Sequence, residues 1–190
     1  MTEQIKADIC IIGAGAGGLS VAAGAAQMGA KVVLIEKGAM GGDCLNTGCV
    51  PSKALLAVAH RAASARDAGR FGIDLPAPKV DFPRVQDYVA AIIAGIAPND
   101  SVERFESLGV RVIQATARFS GRDTVEAGGV VVCARRFVIA TGSSPFVPPV
   151  PGIEDVPYLT SENIFERRQG SEHLIILGGG PIGIEMAQAH

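Results

Sequence analysis

Residues 7–37, ADICIIGAGAGGLSVAAGAAQMGAKVVLIEK, carry the clearest indication of the fold. It begins with a short apolar run, passes through a glycine-rich loop and a segment of small residues that ends at Gly29, and closes with a second apolar run. A strand, a loop, a helix and a strand within about thirty residues make a βαβ unit. The two nearly continuous apolar runs are typical of strands that are buried on both faces of a parallel sheet.

The glycines of this loop, Gly13, Gly15 and Gly18, form the pattern G-x-G-x-x-G between the predicted strand and helix. The first permits a tight turn, the second lets a pyrophosphate approach the backbone, and the third lets the helix pack closely on the strand. Glu36 ends the next strand, where an acid that binds a ribose is expected. The pattern predicts a dinucleotide site. The alternatives are glycines that serve packing only and a solvated charge at Glu36.

The rest of the chain alternates predicted helices and strands. Helices are expected over residues 53–68 and 84–96, with a shorter one after Asp100 as its N-cap. Strands are expected between residues 110 and 139, with a hairpin turn at Gly128 and Gly129. A proline-rich stretch, residues 145–157, indicates a domain boundary. Beyond it, an apolar run expected to be a strand and a second glycine pattern repeat the opening theme, and two dinucleotide loops suit hydride transfer between a nicotinamide and a flavin.

Charge and the distribution of apolar residues argue against a nucleic-acid-binding, a membrane-spanning and a secreted protein. The formal net charge of −2 argues against a nucleic-acid partner, which requires a basic surface. The most apolar run, residues 89–97, is far shorter than the roughly 20 residues that cross a bilayer. The N-terminus lacks the features of a signal peptide. We therefore expect a cytoplasmic protein, in which a close cysteine pair is catalytic or binds a metal.

Such a pair lies in GGDCLNTGCVPSKALL, residues 41–56. Five residues of ideal helix rise about 7.5 Å, so Cys44 and Cys49 can be bridged only where the segment is irregular or just beginning a helix. Asn46 or Thr47 is a possible cap, and Pro51 suits the first helical turn. Near a helix N-terminus the dipole stabilises a thiolate at Cys49, which favours a reducible, working disulfide.

Three other interpretations of the pair remain open: a zinc site, a structural disulfide and two unpaired thiols. A zinc site lacks further ligands at suitable spacing, because Cys10 and Cys133 lie inside predicted strands, where we expect core residues. A structural disulfide across so small a loop would stabilise little. Two unpaired thiols would leave the surrounding glycines unexplained.

Together, GAGAGG, IEK, GGDCLNTGCVPSK, VIATGSSP and GGGPIGIE resemble the class I pyridine nucleotide-disulfide oxidoreductases, along the whole chain. The likeness is greatest to the dihydrolipoamide-dehydrogenase-like and mercuric-reductase-like branches. It implies an α/β fold: a three-layer FAD-binding Rossmann-like domain with a β-meander over residues 1–148, which lacks its C-terminal segment. A linker over residues 149–170 and the start of an NAD(P)-binding Rossmann domain over residues 171–190 would follow.

The resemblance also implies roles for individual residues. Cys44 would be the thiol that meets the substrate, Cys49 the thiol against the flavin, and Lys53 would reach the flavin N5 region and pair with Glu185. The alternatives are a solvated lysine and an acid stabilised by a helix dipole. No metal site is expected. The implied cofactor contacts are Gly13, Gly15, Gly18, Glu36, Lys37, Gly41, Gly42, Lys53, Ala115, Thr141 and Gly142 for FAD, and Gly178, Gly180 and Gly183 for NAD(P).

The activity implied is transfer of two electrons between NAD(P)H, FAD, the Cys44–Cys49 disulfide and a small substrate. That substrate would be a dithiol or disulfide, with dihydrolipoamide preferred, or a thiol-bound metal ion such as mercuric ion. The parent protein would be a homodimer. One alternative is a flavin oxidase or dehydrogenase that uses a single cysteine, against which the second cysteine counts.

Two departures from the family pattern matter. Asp43 stands where the commonest motif has threonine, and its charge should disfavour a thiolate at Cys44. The chain also lacks the family's C-terminal interface domain, and His60, His173 and His190 match no catalytic position. The chain is therefore expected to be an N-terminal piece that is inactive in isolation, and an inactive FAD-binding module is the second alternative.

Overall fold

A computed structural model describes residues 3–190. The strands are β1 (Glu3–Ile12), β2 (Val32–Glu36), β3 (Arg111–Gln114), β4 (Arg118–Phe119), β5 (Thr124–Ala127) and β6 (Val130–Ile139). The helices are α1 (Ala16–Gln27), α2 (Gly42–Asn46), α3 (Cys49–Asp67), α4 (Phe82–Ile96), α5 (Val102–Ser107) and α6 (Pro181–Ala189). The chain divides into two compact units, one of residues 1–46 and 96–143 and one of residues 47–95 and 144–190. The predicted domain boundaries stay a prediction.

The first unit contains one six-stranded sheet in the order β3-β2-β1-β6-β5-β4. The first four strands of that order are parallel, and β5 and β4 continue the sheet antiparallel. β1 and β2 are joined through α1 and pair in parallel from Ile9 opposite Val32 to Ile12 opposite Ile35. The predicted βαβ unit and the α/β class are thus confirmed.

The two faces of the sheet carry different layers because neighbouring strand residues point to opposite sides. On β1, Ile11 lies in an apolar cluster with Leu19 of α1 and Phe105 of α5. Its neighbour Cys10 lies in a second cluster that includes Val125 of the meander β4–β5–β6. Helices therefore cover one face. Because Val125 also clusters with Val33 of β2 and Ile113 of β3, the antiparallel end of the sheet curls over the other face. This explains why most of β2 is buried and reads as an unbroken apolar run.

The meander turns at Gly128 and Gly129, as predicted. Ala127 and Val130 face each other across a two-residue loop. The φ angles of the two glycines are +57° and +79°. Positive φ at both central positions is the signature of a type I′ hairpin, whose twist matches that of the strands it joins.

The second unit contains α3, most of α4, and α6. Its core consists of one cluster of buried side chains: Ala54, Leu55, Val85, Val89, Ile164 and Met186. Val85 and Val89 are four residues apart, so they share one face of α4. Among residues 3–190, no helix is both long and apolar enough to cross a bilayer.

The short helix α5 begins one residue later than predicted. Ser101, not Asp100, is its N-cap, and the Ser101 hydroxyl accepts a hydrogen bond of 3.2 Å from the Arg104 N–H. Asp100 instead ends a 3₁₀ turn, Ala97–Asp100, that follows α4.

Candidate functional site

The glycine loop between β1 and α1 is shaped by backbone contacts that leave no room for side chains. Gly13 has φ of +105°, and a β carbon there would lie 2.1 Å from the Ala140 carbonyl oxygen. A β carbon on Gly18 would lie 1.9 Å from the Gly13 carbonyl oxygen. Gly15 is the N-cap of α1, and no side chain caps the helix. The first N–H groups of α1 are therefore available to an anion, as a dinucleotide loop requires.

The glycines Gly41 and Gly42 lie directly against this loop. The Gly41 N–H donates to the Ala14 carbonyl oxygen over 2.9 Å, and Gly41 forms a parallel bridge with Gly15. A β carbon on Gly42, whose φ is +57°, would lie 2.6 Å from Gly15 Cα. Any side chain at Gly42 would therefore force the loop to move. Gly41 and Gly42, which the family resemblance implies as cofactor contacts, line the same edge as Gly15.

A third segment reaches the loop from β6. The Ala140 N–H donates to the Ile12 carbonyl oxygen over 2.8 Å, which continues the β1–β6 ladder by one residue. Thr141 and Gly142 follow, both are exposed, and Gly142 has φ of +68°. Since the carboxyl ends of parallel strands share one edge, Thr141 and Gly142 lie at the edge that carries the glycine loop.

Glu36, at the end of β2, binds the backbone of the glycine loop. Its Oε2 accepts a hydrogen bond of 2.5 Å from the Ala14 N–H, and its Oε1 accepts one of 2.7 Å from the Gly38 N–H. The side chain therefore fixes the loop and is not a solvated charge at a strand end. Each carboxylate oxygen keeps acceptor capacity, so the predicted contact with a ribose remains compatible with these bonds.

Two further predicted cofactor contacts flank this edge. Lys37 is exposed and follows Glu36 directly. Ala115 follows β3, and a β carbon on Gly128 of the hairpin would lie 3.2 Å from the Ala115 methyl group. Ala115 thus packs against the meander while its backbone lies at the carboxyl end of a parallel strand. The roles of both residues toward a cofactor stay predictions.

The cysteine stretch continues from the same edge. Cys44 lies half-buried in α2, two residues after Gly42, and belongs to the first unit. Cys49 is exposed, is the first residue of α3 and belongs to the second unit. Its predicted position at a helix N-terminus, with Pro51 in the first turn, is confirmed. The pairing of the two cysteines stays a prediction.

The predicted cap of α3 is wrong. Its N-cap is Gly48, and neither Asn46 nor Thr47 caps it. The Asn46 amide instead donates to the carbonyl oxygens of Met40 and Gly42, at 3.1 and 2.9 Å. Asn46 therefore stabilises the turn into α2, a short helix that the sequence analysis did not predict.

The other two cysteines lie in different surroundings. Cys10 is fully buried in β1, and burial raises the pKa of its thiol to about 11. Cys133 is only half-buried on β6 and accepts a hydrogen bond of 3.3 Å from the Gln4 amide. Cys10 is a core residue as predicted, whereas the prediction of a core position for Cys133 is wrong because this part of β6 is partly open to solvent.

Lys53 and Glu185 form the predicted ion pair within the second unit. The Lys53 Nζ lies 2.5 Å from Glu185 Oε1, and their side chains are 61% and 30% exposed. The hydrogen bond from Lys53 holds the pKa of the Glu185 carboxyl below its usual value, against the smaller opposing effect of desolvation. The pair brings together α3 and α6, which carry the cysteine motif and the second glycine motif.

The second glycine loop repeats the conformation of the first. Gly178 has φ of +113°, and a β carbon on Gly183 would lie 2.4 Å from the Gly178 carbonyl oxygen. Gly180 is the N-cap of α6, with φ of −75°, and no side chain caps this helix either. The local shape is that of a dinucleotide loop. Its use by NAD(P) stays a prediction.

The strand predicted before this loop is not present. Residues 174–177 form no strand, because a strand requires hydrogen bonds to a neighbour and none pairs with them within residues 3–190. Ile175 and Leu177 are 76% and 63% exposed, while Ile176 packs against the core of the second unit.

Asp43 also lies near the glycine loop between β1 and α1, a position that the sequence did not indicate. A β carbon on Gly142 would lie 3.3 Å from Asp43 Oδ2, so this carboxylate lies beside the segment that follows β6. In the sequence, Asp43 stands out only as a charged neighbour of Cys44. No local signal relates residues 43 and 142, because only the folded sheet brings them together.

Comparison with known proteins assigns the chain to a family. Residues 7–190 match the family model described as pyridine nucleotide-disulphide oxidoreductase. The chain is 40% identical over 187 residues to a mercuric reductase of Streptomyces lividans, covering 95% of this chain and 40% of that protein. It is 34% identical over 199 residues to a dihydrolipoyl dehydrogenase of Vibrio cholerae serotype O1, covering 100% of this chain and 41% of that protein.

A solved structure of a flavoprotein disulfide reductase also resembles this chain. The flavoprotein disulfide reductase RclA from Escherichia coli, determined as a Cu(II) complex, matches with a TM-score of 0.79 and 27% identity over 96% of this chain and 39% of that one. The chain thus spans about two fifths of the length of these three proteins. Together with the glycine edge and the cysteine stretch, these matches show that the chain belongs to the pyridine nucleotide-disulphide oxidoreductase family.

Proposed function

We propose that the chain is the flavin-binding part of an FAD-dependent dithiol/disulfide oxidoreductase. The observation that carries the proposal is the continuity between the glycine edge and the cysteine stretch. Gly42 packs on Gly15, and Cys44 follows two residues later in α2. A thiol is thus held beside the backbone edge that is shaped for a dinucleotide.

The residues at this edge fit FAD. Backbone contacts at Gly13, Gly18 and Gly42 fix the shape of the loop, and the uncapped start of α1 offers N–H groups to a diphosphate. Glu36 holds the loop and keeps acceptor capacity for ribose hydroxyls. When bound, FAD supplies two-electron chemistry that links a nicotinamide to a disulfide.

The cysteines would carry out thiol–disulfide exchange. In the reduced chain, the Cys44 thiolate attacks one sulfur of a substrate disulfide, which forms a mixed disulfide and releases the first substrate thiolate. The Cys49 thiolate then attacks the Cys44 sulfur, which releases the second substrate thiolate and leaves the Cys44–Cys49 disulfide. The substrate gains the two electrons that the cysteine pair loses.

Glu185 would hold the Lys53 side chain in a fixed position on α3. Lys53 lies one turn after Cys49 on α3, and its bond to Glu185 orients the ammonium group. By resemblance to the family, Lys53 would reach the flavin N5 region, and a lysine held by Glu185 would supply a positive charge there.

Two substrate classes fit the proposal. A small dithiol such as dihydrolipoamide suits the reverse of these steps, in which one substrate thiolate attacks the Cys44–Cys49 disulfide at Cys44, the second releases Cys44, and the substrate becomes a disulfide while the cysteine pair gains two electrons. The dihydrolipoyl dehydrogenase relatives support this class. A thiol-bound metal ion such as mercuric ion is the second candidate, because mercuric reductases are among the relatives and the Streptomyces lividans enzyme is 40% identical. NADH or NADPH would be the partner at the Gly178 loop.

A thiol titration tests the proposal. The chain has four cysteines. After air oxidation and unfolding, we expect two titratable thiols, from Cys10 and Cys133, and all four after prior reduction. C133S serves as the control and should lose one thiol in both states. Equal thiol counts before and after reduction, or a pair that survives in C49S, would contradict a Cys44–Cys49 redox couple.

A further inference from the structure

Asp43 places a negative charge at the edge where an anion is expected. It is exposed, it is the second residue of α2, and its predecessor Gly42 packs on Gly15. A β carbon built on Gly142 would lie only 3.3 Å from the Asp43 Oδ2. The carboxylate therefore lies among the segments that converge on the glycine loop.

Within residues 3–190, no Lys, Arg or His side chain forms an ion pair with Asp43. Among residues 3–190, the ion pairs join Lys53–Glu185, Arg70–Asp67, Arg111–Glu3, Arg135–Asp8 and Arg168–Asp87. Asp43 takes part in none of them, and it accepts no hydrogen bond within that part of the chain. Glu36, in contrast, uses both oxygens on backbone N–H groups. Asp43 contributes an uncompensated charge, and its removal leaves no partner unsatisfied.

From this arrangement we infer that Asp43 determines how tightly the site holds a dinucleotide diphosphate, and that its charge weakens the binding of FAD. The inference rests on the proposed function, since it assumes that the diphosphate lies at the glycine loop. The attraction between the start of α1 and the diphosphate is opposed by repulsion from a carboxylate beside the same backbone. Ionic strength then tunes flavin retention, because salt screens exposed charges.

The expected size follows from Coulomb's law in a solvent-exposed setting. Two like charges several ångströms apart in water repel with an energy of the order of the thermal energy, and a diphosphate carries about two charges. Replacing Asp43 by the isosteric, neutral asparagine should tighten FAD binding about fivefold at low salt. At about 1 M salt the Debye length is about 3 Å, so the difference should shrink to less than about twofold.

The test compares FAD dissociation constants of wild type, D43N, D43E and E106Q at about 20 mM and 1 M salt, by quenching of flavin fluorescence. D43E keeps the charge and should resemble wild type. Glu106 is an exposed acid on α5, before β3 and so at the opposite end of the strands, and E106Q should have no effect. ADP, which carries a diphosphate without a flavin, should show the same preference for D43N.

The outcomes separate the inference from the proposed function. Equal FAD affinities of wild type and D43N at low salt, or a difference that does not shrink with salt, would overturn the inference while FAD binding stands. Absence of FAD binding in all four proteins would overturn both. Because Asp43 is exposed and pairs with no residue among 3–190, D43N is expected to fold as wild type, and a circular-dichroism spectrum checks this.

Discussion

Replacing Gly18 by alanine is expected to destabilise the first unit, whereas the same change at Gly24 is expected to stabilise it. Both glycines lie in α1. In a helix interior, alanine is favoured over glycine by about 1 kcal/mol. The surroundings differ: a β carbon on Gly24 meets nothing within 4 Å, whereas one on Gly18 would lie 1.9 Å from the Gly13 carbonyl oxygen.

The clash at Gly18 cannot be relieved by a side-chain rotation, because the opposing atom belongs to the backbone. The helix must move away from the loop, and overpacking of this kind costs about 1–3 kcal/mol. G24A adds a methyl group to the same helix without a clash, so it serves as the control for G18A. We expect G18A to be the less stable of the two by about 1–3 kcal/mol.

Urea unfolding of the cofactor-free protein, followed by circular dichroism, measures this difference. With a slope of about 1–3 kcal/mol per molar urea, the G18A midpoint should lie roughly 1 M below that of G24A, with similar slopes. A G18A midpoint equal to or above that of G24A would refute the close packing of α1 on the glycine loop.

Three further changes test the site. E36Q should lower the free energy of unfolding in urea by about 1.5–3 kcal/mol. In this variant an amide NH₂ replaces one carboxylate oxygen and faces a backbone N–H group, so two donors meet. A urea midpoint equal to that of wild type would contradict this. Folding lowers the pKa of Glu185, so the ionised carboxylate stabilises the folded state at pH values above the ordinary carboxyl pKa. This stabilisation is lost as the pH falls through the pKa of Glu185 in the folded protein. The urea midpoint should therefore fall more between pH 6 and about pH 3 in wild type than in E185Q, in which Lys53 has no charged partner; parallel curves would count against the pair. Iodoacetamide at about pH 8 should label the reduced protein at exposed Cys49 and spare Cys10 until unfolding, as peptide mass spectrometry would show; early labelling of Cys10 would contradict its burial and raised pKa.

The sequence was sufficient to predict the first βαβ unit because the information there is local. Glycines at fixed spacing are required by contacts within the same loop, such as Gly18 on Gly13. Unbroken apolar runs mark strands that are covered on both faces. The hairpin at Gly128 and Gly129 was predictable for the same reason, since positive φ at two successive positions is readily adopted only by glycine.

The remaining features depend on contacts between distant parts of the chain. Asp43 meets Gly142 only because β6 inserts beside β1 in the sheet. Asn46 looked like a helix cap but finds carbonyl acceptors at Met40 and Gly42 instead. The apolar run at residues 174–177 has the composition of a strand, yet composition does not supply the neighbour that a strand needs.

FAD binding beside a redox-active cysteine pair, as proposed above, is measured by an absorption spectrum. The protein would be mixed with FAD, passed through a gel-filtration column, and measured before and after about one equivalent of dithionite. We expect flavin bands that elute with the protein and a broad long-wavelength shoulder after reduction, which C49S lacks. A protein that elutes without flavin, or a shoulder that persists in C49S, would contradict the account.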